Sequence, residues 1–209
     1  MNRLKIAVTK GRLLEDSLDL FEKMGFDCTF VRADTRKLIL PVGNYPLDVV
    51  LSKAADVLTY VSHGVCDLGI VGKDTIMEHG GSFYEMLDLG YGACRFALAV
   101  PEGSDFYGTY RSRVVASKYP NVTKAYFAEK GMDVSVIKIE GSVELAPLVG
   151  LANGIVDIVQ TGTTLKENGL TPIETVAPVS ARLIVNTASM KLYQQEIFDL
   201  MDRMEAAKA

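Results

Sequence analysis

Three threonines and a glycine stand at the end of an apolar run in the stretch Gly154 to Gly169, G-I-V-D-I-V-Q-T-G-T-T-L-K-E-N-G. Ile155 to Val159 is rich in β-branched residues and reads as a buried strand, and the polar residues after it open a short helical pattern. At the joint, Thr161, Thr163 and Thr164 can donate hydrogen bonds to anionic oxygens. Gly162 lets the backbone come close and can take a positive φ. Free N–H groups and the dipole at a helix start favour a nearby anion by roughly 0.3–1 kcal/mol. Each hydroxyl bond to a charged group adds about 1.5–3 kcal/mol. The chemistry indicated is a phosphate cradle built without a cation in the loop. Asp157 would repel a phosphate and suits another task, accepting hydrogen bonds from sugar hydroxyls. The same residues also fit an ordinary strand-to-helix turn with a threonine cap.

A second group with chemical potential is Thr9-Lys10-Gly11-Arg12, two cations and a glycine between the apolar run Leu4 to Val8 and a helical pattern of Leu13, Leu14, Leu18, Phe21 and Met24 that ends at Gly25. Cations at a helix start oppose its dipole, so they are better explained by an anion site than by decoration of the surface. In open α/β sheets ligands bind outside the carboxyl ends of the strands, where this loop would lie.

The elements that must position these groups alternate. Phe26 to Arg32 and Lys37 to Val42 read as a hairpin carrying Arg32 and Arg36 near its tip, residues 33–36. Leu47 to Leu51 reads as a strand, Lys53 to Ser62 as a helix, and Cys66 to Val71 as a strand ending in Gly72-Lys73-Asp74-Thr75. Glu85 to Leu89 and Arg95 to Val100 add further strands. Ser52, Leu58, Gly64, Asp67 and Gly72 then align without gaps, ninety positions on, with Ser142, Leu148, Gly154, Asp157 and Gly162. The order of strand, serine, helix, glycine, aspartate-bearing strand and glycine turn is repeated, which predicts two lobes built alike. Val114 to Ala116, Thr123 to Lys130 and Val134 to Ile139 supply more of the second lobe. Glu140-Gly141-Ser142 would sit at a strand end beside the Thr161 loop, with Glu144 one turn along. After Leu170 the chain is extended over Ile173 to Val176 and Arg182 to Val185. Ser189 caps a last helix with a stripe of Leu192, Ile197, Leu200, Met201 and Met204, which suits core or subunit contact. The expected class is α/β, two similar lobes with mainly parallel sheets and a cleft between them. Lobe I takes 1–93 plus 181–209 and lobe II takes 94–180.

Composition sets the background: 209 residues, 48% hydrophobic, 23% charged and a net charge of -4, an ordinary globular chain with no general attraction to nucleic acid or anionic membrane. The start, M-N-R-L-K-I-A-V-T-K-G-R, has an apolar core shorter than that of a signal peptide, so the cytoplasm is expected. Cys28, Cys66 and Cys94 are odd in number and widely separated, and His63 and His79 lack ligand spacing; buried free thiols are expected, and no metal held by protein side chains alone.

With T-K-G-R-L at Thr9 to Leu13, G-V-C-D-L-G-I-V-G-K-D at Gly64 to Asp74, G-S-V-E-L-A-P at Gly141 to Pro147 and D-I-V-Q-T-G-T-T-L-K-E-N-G-L at Asp157 to Leu170, the chain resembles over essentially its full length the short-form catalytic subunits of the ATP phosphoribosyltransferase family, which open histidine biosynthesis. The resemblance implies a fold like type II periplasmic binding proteins. ATP would enter from lobe I, and phosphoribosyl pyrophosphate would be held by the loop Asp157 to Leu165. It implies transfer of the phosphoribosyl group to N1 of ATP with Mg²⁺ carried on the pyrophosphate. Thr161, Gly162, Thr163 and Thr164 would hold the 5′-phosphate, with Leu165 closing the substrate-binding loop, and Asp157 the ribose hydroxyls with Glu144 in support. Gly141, Ser142, Gly11, Arg12 and Asp74 complete the substrate contacts, with Lys10 and Arg32 as catalytic cations toward pyrophosphate or ATP phosphates. It further implies self-association into dimers within a hetero-oligomer, and a separate regulatory subunit resembling histidyl-tRNA synthetase. Histidine would then be sensed there rather than by this chain. A solute-binding protein of the same fold is the alternative, though it would be expected to carry an export signal. An orotate-type phosphoribosyltransferase would have a single sheet and an acidic pair leading into its loop, where this chain has one acid, Asp157, four residues before Thr161.

Overall fold

A computed structural model describes residues 3–33, 35–108 and 112–208. The chain divides into two compact units, Met1–Gly92 with Ser180–Ala209, and Ala93–Val179.

The first unit begins with β1 (Leu4–Thr9), whose Leu4, Ile6, Ala7 and Val8 are buried, and α1 (Arg12–Lys23), which buries Leu18, Leu20 and Phe21. After α2 (Thr29–Arg32) come β2 (Ile39–Pro41), β3 (Leu47–Ser52), α3 (Ala54–Ser62), β4 (Leu68–Gly72), α4 (Lys73–His79) and β5 (Phe83–Asp88). The chain returns late in the sequence with β11 (Ala181–Asn186), α8 (Thr187–Leu192) and α9 (Gln194–Lys208). The sheet runs β2-β3-β1-β4-β11-β5. Its central strands β3, β1 and β4 are parallel, so their carboxyl ends share one edge, while β2 and β11 run against them at the flanks and β5 pairs antiparallel with β11. A parallel strand needs a crossover, and α1 and α3 supply it; α3 packs Val57 and Val61 on Gly69 of β4, where an added Cβ would lie 2.7 Å from Val57 Cγ1.

The second unit carries β6 (Cys94–Pro101), β7 (Arg113–Ser117), α5 (Pro120–Glu129), β8 (Val134–Lys138), α6 (Leu145–Leu148), β9 (Gly154–Val159), α7 (Thr163–Glu167) and β10 (Leu170–Val179). The sheet order is β10-β6-β9-β7-β8, with β8, β7 and β9 parallel, β6 running against them and β10 pairing antiparallel with β6. Strand for strand this repeats β5-β11-β4-β1-β3. The two units therefore share a topology, which the repeated sequence pattern anticipates. The gapless alignment does not hold in detail. Asp67 precedes β4 and accepts hydrogen bonds from the Lys5 N–H (2.8 Å) and the Ser189 hydroxyl (2.7 Å), whereas Asp157 is the fourth residue of β9.

Three other expectations need correcting. The hairpin is not formed: Thr29–Arg32 is a helical turn, and β2 pairs instead with β3. Cys28 begins that turn as its N-cap, and Asp27 bonds the Thr29 N–H and hydroxyl at 3.0 and 2.6 Å, a local bonding pattern that competes with strand pairing. Asp34, placed at the hairpin tip, lies outside the described residues. The last helix starts earlier than Ser189, at a cap made by Asn186, whose side chain accepts from the Ala188 and Ser189 N–H groups at 2.9 Å. It breaks at Tyr193, leaving Leu192 71% exposed and outside the stripe, while Ile197, Leu200 and Met204 are buried in the first unit's core. Finally, Lys73–His79 is a helix where only a turn is expected. Cys28 and Cys66 are buried free thiols, pushed up to about 11 by that burial, and Cys94 is half-buried and outside any disulfide among the described residues. Among the described residues no helix is long and apolar enough to cross a membrane.

Candidate active site

Because β9 is parallel to β7, its chain leaves the sheet at the same edge as β7 and β8. There Gln160 and Thr161 lead into Gly162, the N-cap of α7, with φ 83° and ψ 2°. An added Cβ would meet only Val159 Cγ1, at 3.8 Å, so glycine is required by the left-handed backbone and not by lack of space. The Thr161 and Thr163 hydroxyls lie 3.1 Å apart, and the Thr163 N–H approaches Thr161 Oγ1 at 3.4 Å. Both hydroxyls are exposed, and a pairing this loose is readily exchanged for a ligand oxygen. Leu165 is buried beneath them and anchors the loop in the second unit's core. α7 has only five residues. Its dipole is accordingly weaker than a full helix would provide, and a grip on an anion there would rest on hydroxyls and on first-turn N–H groups, which lack acceptors within a helix.

Glu144 and the run Asp157 to Leu165 enclose a cavity of about 340 Å³, at the lower end of ligand-pocket sizes. A second hollow of about 510 Å³ opens on the other side of the loop against Thr161, Gly162, Thr163, Lys166 and Glu167. Asp157 is half-buried, and burial pushes its carboxyl up to about 6; the Ile158 N–H holds it down, the charge of Glu144 raises it and Lys118 lowers it. Glu144 precedes α6 as its N-cap, and Gly141 and Ser142 are exposed just before it, with the Ser142 carbonyl accepting from the Leu145 N–H at 3.2 Å. The arrangement lines one cavity with hydroxyl and backbone donors and with two carboxylates, which fits a phosphorylated polyol. Sequence reasoning missed Gln160, which lines the cavity, and Lys118, whose field reaches Asp157. Neither residue type carried a signal in the linear sequence.

The remaining expected residues belong to the first unit. Lys10 follows β1, and its N–H donates to the Ser52 carbonyl at 3.0 Å. Gly11, with φ 94° and ψ -144°, is the N-cap of α1 and makes no side-chain cap. Arg12 is exposed in the first turn, 3.8 Å from Asp16. Asp74 lies in the first turn of α4, folded back against Gly72. Since β1 and β4 are parallel neighbours, Lys10, Gly11, Arg12 and Asp74 share the carboxyl edge of their sheet. Arg32 does not stand with them at a hairpin tip. Its guanidinium is held by Glu15 (3.0 Å), Asp19 (2.5 Å) and Glu22 (2.7 Å), three acids on one face of α1, and the bonds to Glu22 and Asp19 hold it above the usual arginine value. Among the described residues no group of three or more His, Cys, Asp or Glu is placed to hold a metal ion.

A family model, HisG: ATP phosphoribosyltransferase, matches residues 53–206. A relative from Clostridium kluyveri (strain ATCC 8527), named ATP phosphoribosyltransferase, is 52% identical over 97% of this chain and 93% of its own length. The solved ATP phosphoribosyl transferase (HisG:HisZ) complex from Thermotoga maritima contains a chain 30% identical, with a TM-score of 0.83 and 98% of each chain covered. The periplasmic aliphatic sulphonate binding protein SsuA from Escherichia coli shares the fold at 13% identity, with a TM-score of 0.63 over 100% of this chain and 73% of that one.

Proposed function

The chain belongs to the HisG family of ATP phosphoribosyltransferases, and from that premise we propose that it joins N1 of ATP to C1 of phosphoribosyl pyrophosphate, releasing pyrophosphate, as the first step of histidine biosynthesis in the cytoplasm. The observation that carries the residue assignment is the cavity enclosed by Glu144 and Asp157 to Leu165. The 5′-phosphate takes the hydroxyls of Thr161, Thr163 and Thr164 and the backbone at Gly162, above the apolar floor of Leu165. Asp157 accepts from the ribose hydroxyls with Glu144, Gly141 and Ser142 in support. Displacement at the anomeric carbon breaks the bond to pyrophosphate as the bond to N1 forms, through a ribose with cationic character. The enzyme's work is to position two polyanions and to stabilise the departing one, and no covalent nucleophile is needed.

Lys10, Gly11 and Arg12, with Asp74 on the same edge, are assigned to the ATP phosphates. Arg32 would reach a phosphate only by exchanging three carboxylates, and we assign it the tie between α1 and α2 in place of a catalytic role. Mg²⁺ would travel with the substrate, neutralising pyrophosphate charge; oxygen ligands from substrate and solvent suit it, with Asp157 and Glu144 as the nearest carboxylates in the cavity. Following the Thermotoga maritima complex, the chain is proposed to work as the short form, self-associated with a HisZ regulatory subunit that senses histidine. The test is to combine the chain with ATP, phosphoribosyl pyrophosphate and Mg²⁺, with and without that subunit. An ultraviolet-absorbing adduct is expected. Absence of adduct under both conditions would refute the assignment, and strong inhibition of the lone chain by histidine would refute its short-form part.

A further inference from the structure

The threonine loop grips an anion without a cation, yet the ligand proposed for it carries most of its charge elsewhere, on the pyrophosphate at C1. β7 and β9 pair in parallel with Val115 beside Gly154 and Ala116 beside Ile155, and the Ser117 hydroxyl donates to the Val156 carbonyl at 2.6 Å. Continued one residue past the end of β7, that register would bring Lys118 level with Asp157. On its other side β7 pairs with β8, Ser117 beside Lys138, and the Ile139 N–H donates to the Ser117 carbonyl at 3.0 Å. Lys118 thus stands at the carboxyl edge of the sheet between Asp157 and the Glu140–Ser142 segment. It is exposed, and no hydrogen bond or ion pair holds its ammonium among the described residues. Glu140 is paired with Lys138 at 2.7 Å, leaving Lys118 without a carboxylate in contact. Its charge nevertheless reaches both acids, opposing the burial that raises Asp157 and adding to Lys138, the main cause, in lowering Glu140.

We propose that Lys118 binds the pyrophosphate of the sugar donor, its ammonium donating to an oxygen of the leaving group. The inference rests on the placement of the 5′-phosphate in the threonine loop. A ribose carries C5 and the C1 substituent on opposite sides of the ring. A sugar with its 5′-phosphate on Thr161 to Thr164 and its hydroxyls at Asp157 therefore turns C1 away from that loop, and Lys118 is the cation beside Asp157. Lysine serves here as a mobile point charge that can follow the pyrophosphate as it departs. The corresponding position of the first unit, Lys10 directly after β1, also holds a lysine behind a hydroxyl residue, Thr9 there and Ser117 here.

The test uses the full chain with Lys118→Ala and Lys118→Arg. Loss of one charge-assisted hydrogen bond should raise the KM for phosphoribosyl pyrophosphate and the inhibition constant of inorganic pyrophosphate by roughly tenfold or more. The KM for ATP and inhibition by ribose 5-phosphate should stay within about twofold, and Lys118→Arg should recover most of the loss. A donor KM unchanged in Lys118→Ala would overturn the proposal. So would a loss that falls on ribose 5-phosphate instead of pyrophosphate. Calorimetric binding of magnesium pyrophosphate to the wild type and Lys118→Ala decides the matter even if no adduct forms, so failure of the reaction assignment is distinguishable from failure of this one.

Discussion

A carboxyl whose proton leaves near pH 6 makes the sugar site titratable. Asp157 accepts hydrogen bonds from ribose hydroxyls most strongly when ionised, and burial with Glu144 nearby holds its carboxyl up to about 6. In the free enzyme, kcat/KM for phosphoribosyl pyrophosphate should therefore fall about tenfold per unit below about pH 6, and Asp157→Ala should impair donor use far more than ATP use. A flat profile from about pH 5 to 7 would remove Asp157 from the site. The same shift has a cost in stability. The folded carboxyl keeps its proton up to about 6 while the unfolded one releases it near 3.8, so the native state binds more protons between those values and stability declines as pH rises through them. Asp157→Asn in the ligand-free chain should accordingly be more stable than the wild type at about pH 8, by on the order of 1–2 kcal/mol for this half-buried group, with the difference vanishing near pH 3–4. Thermal unfolding at the two pH values measures it. The loop was legible in the linear sequence as a strand-to-helix joint, since threonines and a glycine follow an apolar run, but those residue types fit a phosphate cradle and a capped turn alike. Lys118 was not, because its meaning comes from lying beside Asp157 across a strand pairing that only the fold supplies.

At the level of elements, the tie between α1 and α2 depends on one arginine facing three acids at helical spacing, Glu15, Asp19 and Glu22. These acids are exposed, and each pair contributes little in water. Arg32→Ala should lower stability by about 1 kcal/mol at low ionic strength, and the loss should shrink in molar salt, where the Debye length is about 3 Å. A loss independent of salt would mean that the side chain acts through packing. This is also where the sequence misled. Phe26 to Arg32 has the β-branched and aromatic composition of a strand, but Asp27 captures the Thr29 N–H and hydroxyl and Asn44 captures the Asp27 N–H (2.8 Å), and a short turn forms in place of a hairpin. The helices α1 and α3 follow their patterns because one buried face decides each, and the strands β1 and β9 because consecutive apolar residues are buried on both faces of the sheet. α4 was hidden by its length, seven residues without a distinct apolar stripe.

At the level of the whole molecule, the two units share a strand order yet differ in how the chain assembles them. The second is contiguous, Ala93–Val179, with its antiparallel strands β6 and β10 inside it; the first borrows β11 and the last helices from Ser180–Ala209. A fragment of residues 93–179 should give a cooperative thermal transition, whereas residues 1–92 alone, lacking the strand between β4 and β5, should not. Cooperative unfolding of the 1–92 fragment would show that β11 is dispensable. The repeat was visible as five aligned identities, but their register was not, since matching glycines and serines do not say how high on a strand an aspartate sits. The central claim, that the sugar donor is gripped by Asp157 to Leu165, is tested most directly by a crystal structure of the chain with phosphoribosyl pyrophosphate and Mg²⁺. The expected result is the 5′-phosphate on Thr161 to Thr164 with ribose hydroxyls at Asp157; a donor bound elsewhere, with that loop empty, would contradict it.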